Sequence, residues 1–211
     1  MNAAALKSRL DSLFARLNPP YGVVPEWHEA AASEAEIRAA EMRLGVRLPE
    51  DVKTVFRSFS GISHETPYFM GGRFETLRSK IAAAGCLAAD DSGFQDDLVI
   101  VQIKRLGEWG TADELYNPKE EYRRLPEAMA EEGGQAFYDG CTQETIDNPA
   151  FVYIGDSYAE TLFANLIEGS EHYGAIYNLR PYYPHFFAYK IADSYTGLLD
   201  LIVQSLERQA A

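Results

Sequence analysis

Apolar residues recur at helical spacing in four segments of the chain, and each segment is predicted to be an amphipathic helix. In the first segment, residues 3–17, the helix is expected to stop at Asn18-Pro19-Pro20. In the last, Asp193 or Ser194 is placed to cap the helix start. The apolar positions are Leu6, Leu10, Leu13, Phe14 and Leu17; Ile37, Ala40 and Leu44; Val52, Val55, Phe56 and Phe59; and Tyr195, Leu198, Leu199, Ile202 and Leu206.

The second and third of these helices are joined by the stretch Gly45-Val46-Arg47-Leu48-Pro49. Ser33 and Glu36 have the Ser-x-x-Glu spacing of a capping box, which predicts a helix start near Ser33. Gly45 follows the last apolar position, where a left-handed residue commonly ends a helix. Pro49 suits the first turn of the next helix because its missing N–H would have no intrahelical partner there. The stretch is therefore predicted to be a tight connection between two packed helices.

Short runs of β-branched and aromatic residues follow, and they are typical of strands. They read LVIVQI from Leu98, then FVYIGDS, ETLFANLIEG, YGAIYNL and HFFAYKIA, with Gly, Asp or Pro between the last four. The Gly71-Gly72 pair is expected to form a tight hairpin turn, and residues 107–134 to combine loop with short helix. Helices come first, strands follow and a helix ends the chain. This order predicts an α+β fold with a mainly antiparallel sheet flanked by helices.

The composition fits one domain rather than several. The chain has 211 residues, of which 46% are hydrophobic, and no repeat or low-complexity linker marks a boundary. We therefore expect a single domain over residues 1–211, with its core at about 26–206. No run approaches the roughly 20 apolar residues of a membrane span, and the charged N-terminal stretch does not resemble a signal peptide. A cytoplasmic location is expected.

Acidic residues are concentrated in the middle of the chain. The segment from about 86 to 160 holds 17 Asp and Glu against 5 Lys and Arg, a net of −12, whereas the remainder holds 15 against 14, a net of −1. This distribution disfavours nucleic acid and anionic membranes as partners and favours a cationic protein. A surface that only keeps the protein soluble is the alternative. The candidate partner-binding residues are Asp90, Asp91, Asp96, Asp97, Glu131 and Glu132.

No pattern of catalytic or ligand-binding residues is present in the sequence. His28-Glu29 lacks the second histidine of a zinc-protease motif, because position 32 is Ala. Phosphate loops and GxSxG nucleophile elbows are missing, and the acidic pairs lack the spaced oxygen ligands of a calcium loop. Cys86 and Cys141 belong to no ligand-spaced group. We expect no catalytic centre, no cofactor and no metal. The aromatic run RPYYPHFFAY is expected to fill a core or a protein interface.

The stretch ASEAEIRAAEMRLGVRLPEDVKTVFRSFSGI resembles the signature of the SUKH superfamily, the SMI/KNR-like proteins. Further likenesses are VYIGDSYAETLFANL, GAIYNL and IADSYTGLLDLI, so the resemblance covers roughly residues 26–206. The resemblance implies that four residues are markers of the fold and not of a catalytic site: Leu44, Gly45, Leu48 and Pro49. The chain departs from the common pattern at Ser194-Tyr195, where many members have Ser-Phe. It also has Tyr158-Ala159-Glu160 where a glycine often stands, and the segment 78–149 matches no common pattern.

The resemblance implies a protein-binding role without catalysis, because the superfamily includes many bacterial immunity proteins that neutralise toxins. A cationic toxin domain, such as a nuclease, suits the acidic middle segment. The superfamily also includes a fungal regulator of cell wall assembly, so a cytoplasmic regulatory or scaffold module of cell wall or sugar metabolism is the second interpretation. The sequence leaves the partner's identity and the oligomeric state open.

Overall fold

The computed structural model describes residues 5, 7–9, 11–13, 15–16, 26–27, 31–59, 62–63, 70–73, 81–85, 97–110, 118–157 and 161–209. The helices are α1 (Glu34–Leu44), α2 (Glu50–Phe56), α3 (Pro118–Glu131), α4 (Gln143–Asp147) and α5 (Tyr195–Gln209). The strands are β1 (Glu26–Trp27), β2 (Ile62–Ser63), β3 (Met70–Arg73), β4 (Asp97–Ile103), β5 (Ala136–Asp139), β6 (Phe151–Ser157), β7 (Thr161–Asn165), β8 (Ile176–Tyr182) and β9 (His185–Ala192). The described residues between 5 and 16 are also helical.

The strands form one sheet in the order β1-β2-β4-β6-β7-β8-β9-β5, and β3 pairs with β4. These pairings are antiparallel, apart from β5, which runs parallel to β9. The fold is therefore α+β with a mainly antiparallel sheet flanked by helices, as the sequence predicts.

Both faces of the sheet are apolar, and each face is covered by helices. Along β9, Phe187 and Tyr189 belong to one buried cluster, whereas Phe186 and Ala188 belong to the other. This alternation follows from the two-residue period of a strand. The first cluster, core A, joins the sheet to α1, α2 and α5. The second, core B, joins it to α3 and α4.

The connection between α1 and α2 is held by one glutamate. Gly45 ends α1 in the left-handed conformation, with φ 66°. The Glu41 carboxylate accepts a hydrogen bond from the Leu48 N–H at 2.9 Å and pairs with Lys53 at 2.8 Å. Two hydrogen bonds lower the pKa of the Glu41 carboxyl: the one from the Lys53 ammonium has the larger effect, and the one from the Leu48 N–H has the smaller. Glu41 of α1 therefore contacts both the connection and α2.

Local signals predict the helix boundaries well. Both hydrogen bonds of the Ser33–Glu36 capping box are formed. The Ser194 hydroxyl accepts from the Gly197 N–H at 3.0 Å, so Ser194 caps α5. Pro49 occupies the N-cap position of α2, one residue before the predicted place. In the N-terminal helix Leu13 is buried, and Leu6, Leu10, Phe14 and Leu17 lie outside the described residues.

Two local predictions are wrong. Gly71 and Gly72 lie inside β3 and not in a hairpin turn: the flanking residues Met70 and Arg73 pair with β4, and the register of the pairing shifts between them, at the two glycines. Residues 118–131 form a helix of 14 residues that contains Pro126, where a short helix was expected. Its buried side chains Tyr122 and Met129 pack in core B, and this tertiary packing outweighs the local cost of a proline.

None of the helices in the described part of the chain is long and apolar enough to cross a bilayer.

Candidate protein-interaction surface

The candidate acidic residues fall in different parts of the fold. Asp90, Asp91 and Asp96 lie outside the described residues. Asp97 begins β4, opposite Arg73 of β3. Glu131 and Glu132 lie at the end of α3, which packs against β9 and β5. Three strands, β6, β7 and β8, separate β4 from β9 in the sheet order. The described candidates therefore do not form one cluster, and their role in binding stays a prediction.

Helix α3 presents a charged face to solvent. Its inward side chains, Tyr122 and Met129, are buried in core B. Arg123 is partly neutralised, since its guanidinium contacts the Glu120 carboxylate at 2.9 Å. The exposed residues toward the helix end are Glu127, Ala128, Ala130, Glu131 and Glu132. The C-terminal half of α3 is therefore an acidic surface.

The end of α3 is closed by two consecutive glycines. Gly133 has a left-handed backbone, with φ 81°, and its N–H donates to the Ala130 carbonyl at 3.1 Å. The Gly134 N–H donates to the Met129 carbonyl at 2.8 Å. These two bonds form a Schellman motif, which satisfies carbonyls at the helix end. The motif fixes the positions of Glu131 and Glu132 relative to the strand that follows.

An exposed tyrosine lies beside this helix end. Tyr183, in the turn between β8 and β9, is 73% exposed, and its hydroxyl is 3.4 Å from Glu132 Oε2. The turn is anchored to the residue after Gly134: the Gln135 N–H donates to His185 Nδ1 at 3.2 Å, and the Phe186 N–H donates to the Gln135 carbonyl at 3.0 Å. We call Tyr183, Glu131 and Glu132 the acidic-tyrosine surface.

Sequence reasoning did not single out Tyr183, although it marked the run that contains it. The neighbouring Tyr182 stacks on Phe187, with ring centres 6.1 Å apart, and packs against core A. The sequence signal was the aromatic run itself, which does not tell which of its tyrosines is exposed. Exposed tyrosines are common energetic centres of protein interfaces.

A second concave feature lies beside the α1–α2 connection. Met42, Val46, Ala150 and Leu166 line a groove of about 430 Å³ together with Glu41, Gly45, Arg47 and Glu168. Its rim carries the solvent-exposed Arg47–Glu168 pair at 3.8 Å, which contributes little to stability. Met42 is 78% exposed.

Lys119 fastens α3 to the start of β6. Its ammonium donates to the carbonyls of Asn148 and Phe151, the latter at 2.7 Å. Burial, more than the nearby Arg123, lowers the pKa of Lys119 to about 8. These contacts give Lys119 a structural role.

The Cys141 thiol lies in a group of partly buried phenols. Burial raises the pKa of Cys141 to about 12 and that of Tyr138 to about 12. Burial also raises the pKa of Tyr177, whose hydroxyl donates to the Gly140 carbonyl. A thiol with such a pKa stays protonated near neutrality, so it is a poor nucleophile there.

These shifts predict a loss of stability in alkali. The pKa values of Tyr138, Tyr177, Tyr195 and Cys141 are raised in the folded state, so their stabilising contribution is present below their ordinary values, 10.0 for tyrosine and 9.0 for cysteine. It is lost as the pH rises toward about 12. Lys119 has the opposite effect: because its pKa is lowered in the folded state, its contribution to stability increases as the pH rises from about 8 to 10.5.

We expect the free energy of unfolding to fall above pH 10. We also expect the buried tyrosines to ionise at a higher pH in the native protein than in the denatured protein. Denaturant unfolding at successive pH values measures the first, and near-ultraviolet absorbance of native and denatured protein measures the second. The prediction would be contradicted if the tyrosines of the native protein titrated over the same pH range as those of the denatured protein.

No cluster of three or more His, Cys, Asp or Glu with the geometry of a metal site occurs among the described residues. His64, one of the four histidines, lies outside them, as does His28.

The fold is a mainly antiparallel sheet between two helical layers. The model of the SMI1 / KNR4 family (SUKH-1) matches residues 31–201, and the chain belongs to this family. The resemblance to the SUKH superfamily is thereby confirmed. No curated protein matches the chain closely enough to count as a relative.

Proposed function

We propose that the protein acts without catalysis, by binding a cationic protein, and that it is an immunity protein that occludes a basic toxin domain. The observation that carries this proposal is the acidic, solvent-facing end of α3 with Tyr183 beside it. Membership of the SMI1 / KNR4 family (SUKH-1) supports it. The central net charge of −12, from 17 acidic and 5 basic residues at 86–160, favours a basic partner such as a nuclease.

Co-expression tests the proposal directly. Candidate basic toxin domains, beginning with any that is encoded beside the gene of this chain, are expressed in a sensitive host, with and without the chain. We expect the chain to restore growth and to purify with the toxin domain as a stable complex. A growth defect that follows deletion of the gene when no toxin is present, without any complex, would instead favour the regulatory role in cell wall or sugar metabolism.

Association should depend on salt more strongly than dissociation does. Raising the salt from about 0.01 M to about 0.15 M shortens the Debye length from about 30 to 8 Å, which removes long-range attraction between opposite charges. We expect the Asp96→Asn, Asp97→Asn double variant and the Glu131→Gln, Glu132→Gln double variant to associate more slowly than the parent at low salt. Stopped-flow measurements give the association rates. If a double variant associated as fast as the parent at low salt, the two acidic residues replaced in it would have no role in binding.

A further inference from the structure

Asn178 is a polar residue on a face of the sheet that is otherwise apolar around it. Along β8, Ile176 belongs to core A and Tyr177 belongs to core B, so the side chain of Asn178 lies on the core A side. Its partners on the neighbouring strands, Leu162 of β7 and Tyr189 of β9, are both members of core A. Asn178 is completely buried between them.

One of the two polar atoms of this carboxamide has a hydrogen-bond partner, and the other has none in the described part of the chain. Asn178 Nδ2 donates to the Tyr189 hydroxyl at 2.7 Å, whereas Oδ1 accepts a hydrogen bond from no described residue. A buried acceptor without a donor loses its hydration and gains nothing in return, and folded proteins contain few such atoms. The orphaned oxygen therefore points to a donor from outside the described residues.

A second buried asparagine shows the ordinary arrangement. Asn165 lies at the end of β7, where its Nδ2 donates to Ser170 Oγ and its Oδ1 accepts from the Ile167 N–H, both at 3.1 Å. The turn that follows the strand thus satisfies both atoms of the carboxamide. Asn178 lies in the middle of β8, paired on both sides with other strands, so a local turn does not supply its donor.

Water is the donor that suits this position. A charged donor would lose its hydration in an apolar core, which costs far more than one hydrogen bond contributes. Water is small and neutral, and a buried water typically makes about three hydrogen bonds to polar groups that would otherwise be unsatisfied. The Tyr189 hydroxyl lies at the same carboxamide and supplies a second polar group.

We infer that Asn178 Oδ1 binds an internal water molecule on the core A side of the sheet, with the Tyr189 hydroxyl as the second polar group of the site. The water donates one hydrogen to Oδ1 and so completes the hydrogen bonding of the carboxamide. Asn178 and Tyr189 can then link β8 to β9 within an apolar core without an unsatisfied atom. The site is independent of the proposed function.

A high-resolution crystal structure of the full chain tests the site directly. We expect an ordered water at about 2.5 to 3.0 Å from Asn178 Oδ1. Asn165 is the control in the same crystal, since protein donors and acceptors already satisfy its carboxamide. A protein donor at Asn178 Oδ1 would overturn the inference, and so would a carboxamide turned over so that its amino group donates to a carbonyl.

Water magnetic relaxation dispersion counts long-lived internal waters in solution and gives a second measurement. The double variant Asn178→Leu, Tyr189→Phe removes both polar groups and keeps their approximate size, so it should fold. We expect it to hold one long-lived water fewer than the parent. Ile176→Leu is the matched control, because it alters the same face of β8 without removing a polar group, and it should keep the count.

An equal count in the parent and the double variant would overturn the site, and so would the same loss in Ile176→Leu. If the double variant does not fold, the crystal structure of the parent decides.

Discussion

Replacing Phe56 by alanine should destabilise the protein by about 3 to 5 kcal/mol, the usual cost of removing a fully buried phenyl ring. Phe56 lies at the centre of core A, where its ring meets Trp109 edge-to-face at 5.3 Å and stacks on Tyr195 at 5.5 Å. The ring joins α2, α5 and the turn at Trp109, so the cavity left by alanine cannot close without moving several elements. Denaturant unfolding at neutral pH measures the loss.

Met42→Ala is the control for this variant, because Met42 is 78% exposed and its loss should change stability by less than about 0.5 kcal/mol. A value below about 1 kcal/mol for Phe56→Ala would contradict the packing of core A. Phe56→Leu should recover much of the stability, since it refills part of the cavity without restoring the ring contacts.

Gly134→Ala should cost about 3 kcal/mol or more, although alanine is ordinarily a mild substitution. A Cβ at Gly134 would lie 1.6 Å from the Pro184 carbonyl oxygen and 2.9 Å from that of Met129. Both contacts are with backbone, so no side-chain rotation relieves them, and the β8–β9 turn would have to move away from α3. Thermal or denaturant unfolding measures the loss of stability, and the NMR chemical shifts of the Tyr183 ring report the displacement of the turn.

Gly107→Ala is its control, because a Cβ there has no heavy atom within 4 Å. That variant should stay within about 0.5 kcal/mol of the parent. If Gly134→Ala behaved the same way, the close approach of α3 to the β8–β9 turn would be wrong. The association rate with a cationic partner should also fall in Gly134→Ala if Tyr183 and Glu132 act together.

The elements that the sequence predicted are those specified by local chemistry. Helix α1 follows from the capping box at Ser33 and from Gly45, and α5 follows from its apolar period and the Ser194 cap. Strands β6 to β9 follow from β-prone runs between turns. The parallel strand β5 was not predicted, because its four residues carry no period long enough to read. It exists through pairing with β9, a contact between distant parts of the chain.

The candidate surface was predicted only in part. Charge counting marked Glu131 and Glu132, since an excess of carboxylates is visible in composition alone. It did not show that these residues end a helix, or which tyrosine lies beside them. Tyr182 and Tyr183 are adjacent and chemically identical, yet one packs against core A and the other faces solvent.

The sequence by itself determined the helix caps, most of the strands and the acidity of the central segment, because each depends on residues close together in the chain. The tertiary structure alone decided that Glu132 and Tyr183, 51 positions apart, meet at one surface. Their approach requires the Schellman turn after α3, the parallel pairing of β5 with β9 and the β8–β9 turn to form together. The pattern of residues along the chain does not predict this proximity, because it depends on how α3 packs against the sheet.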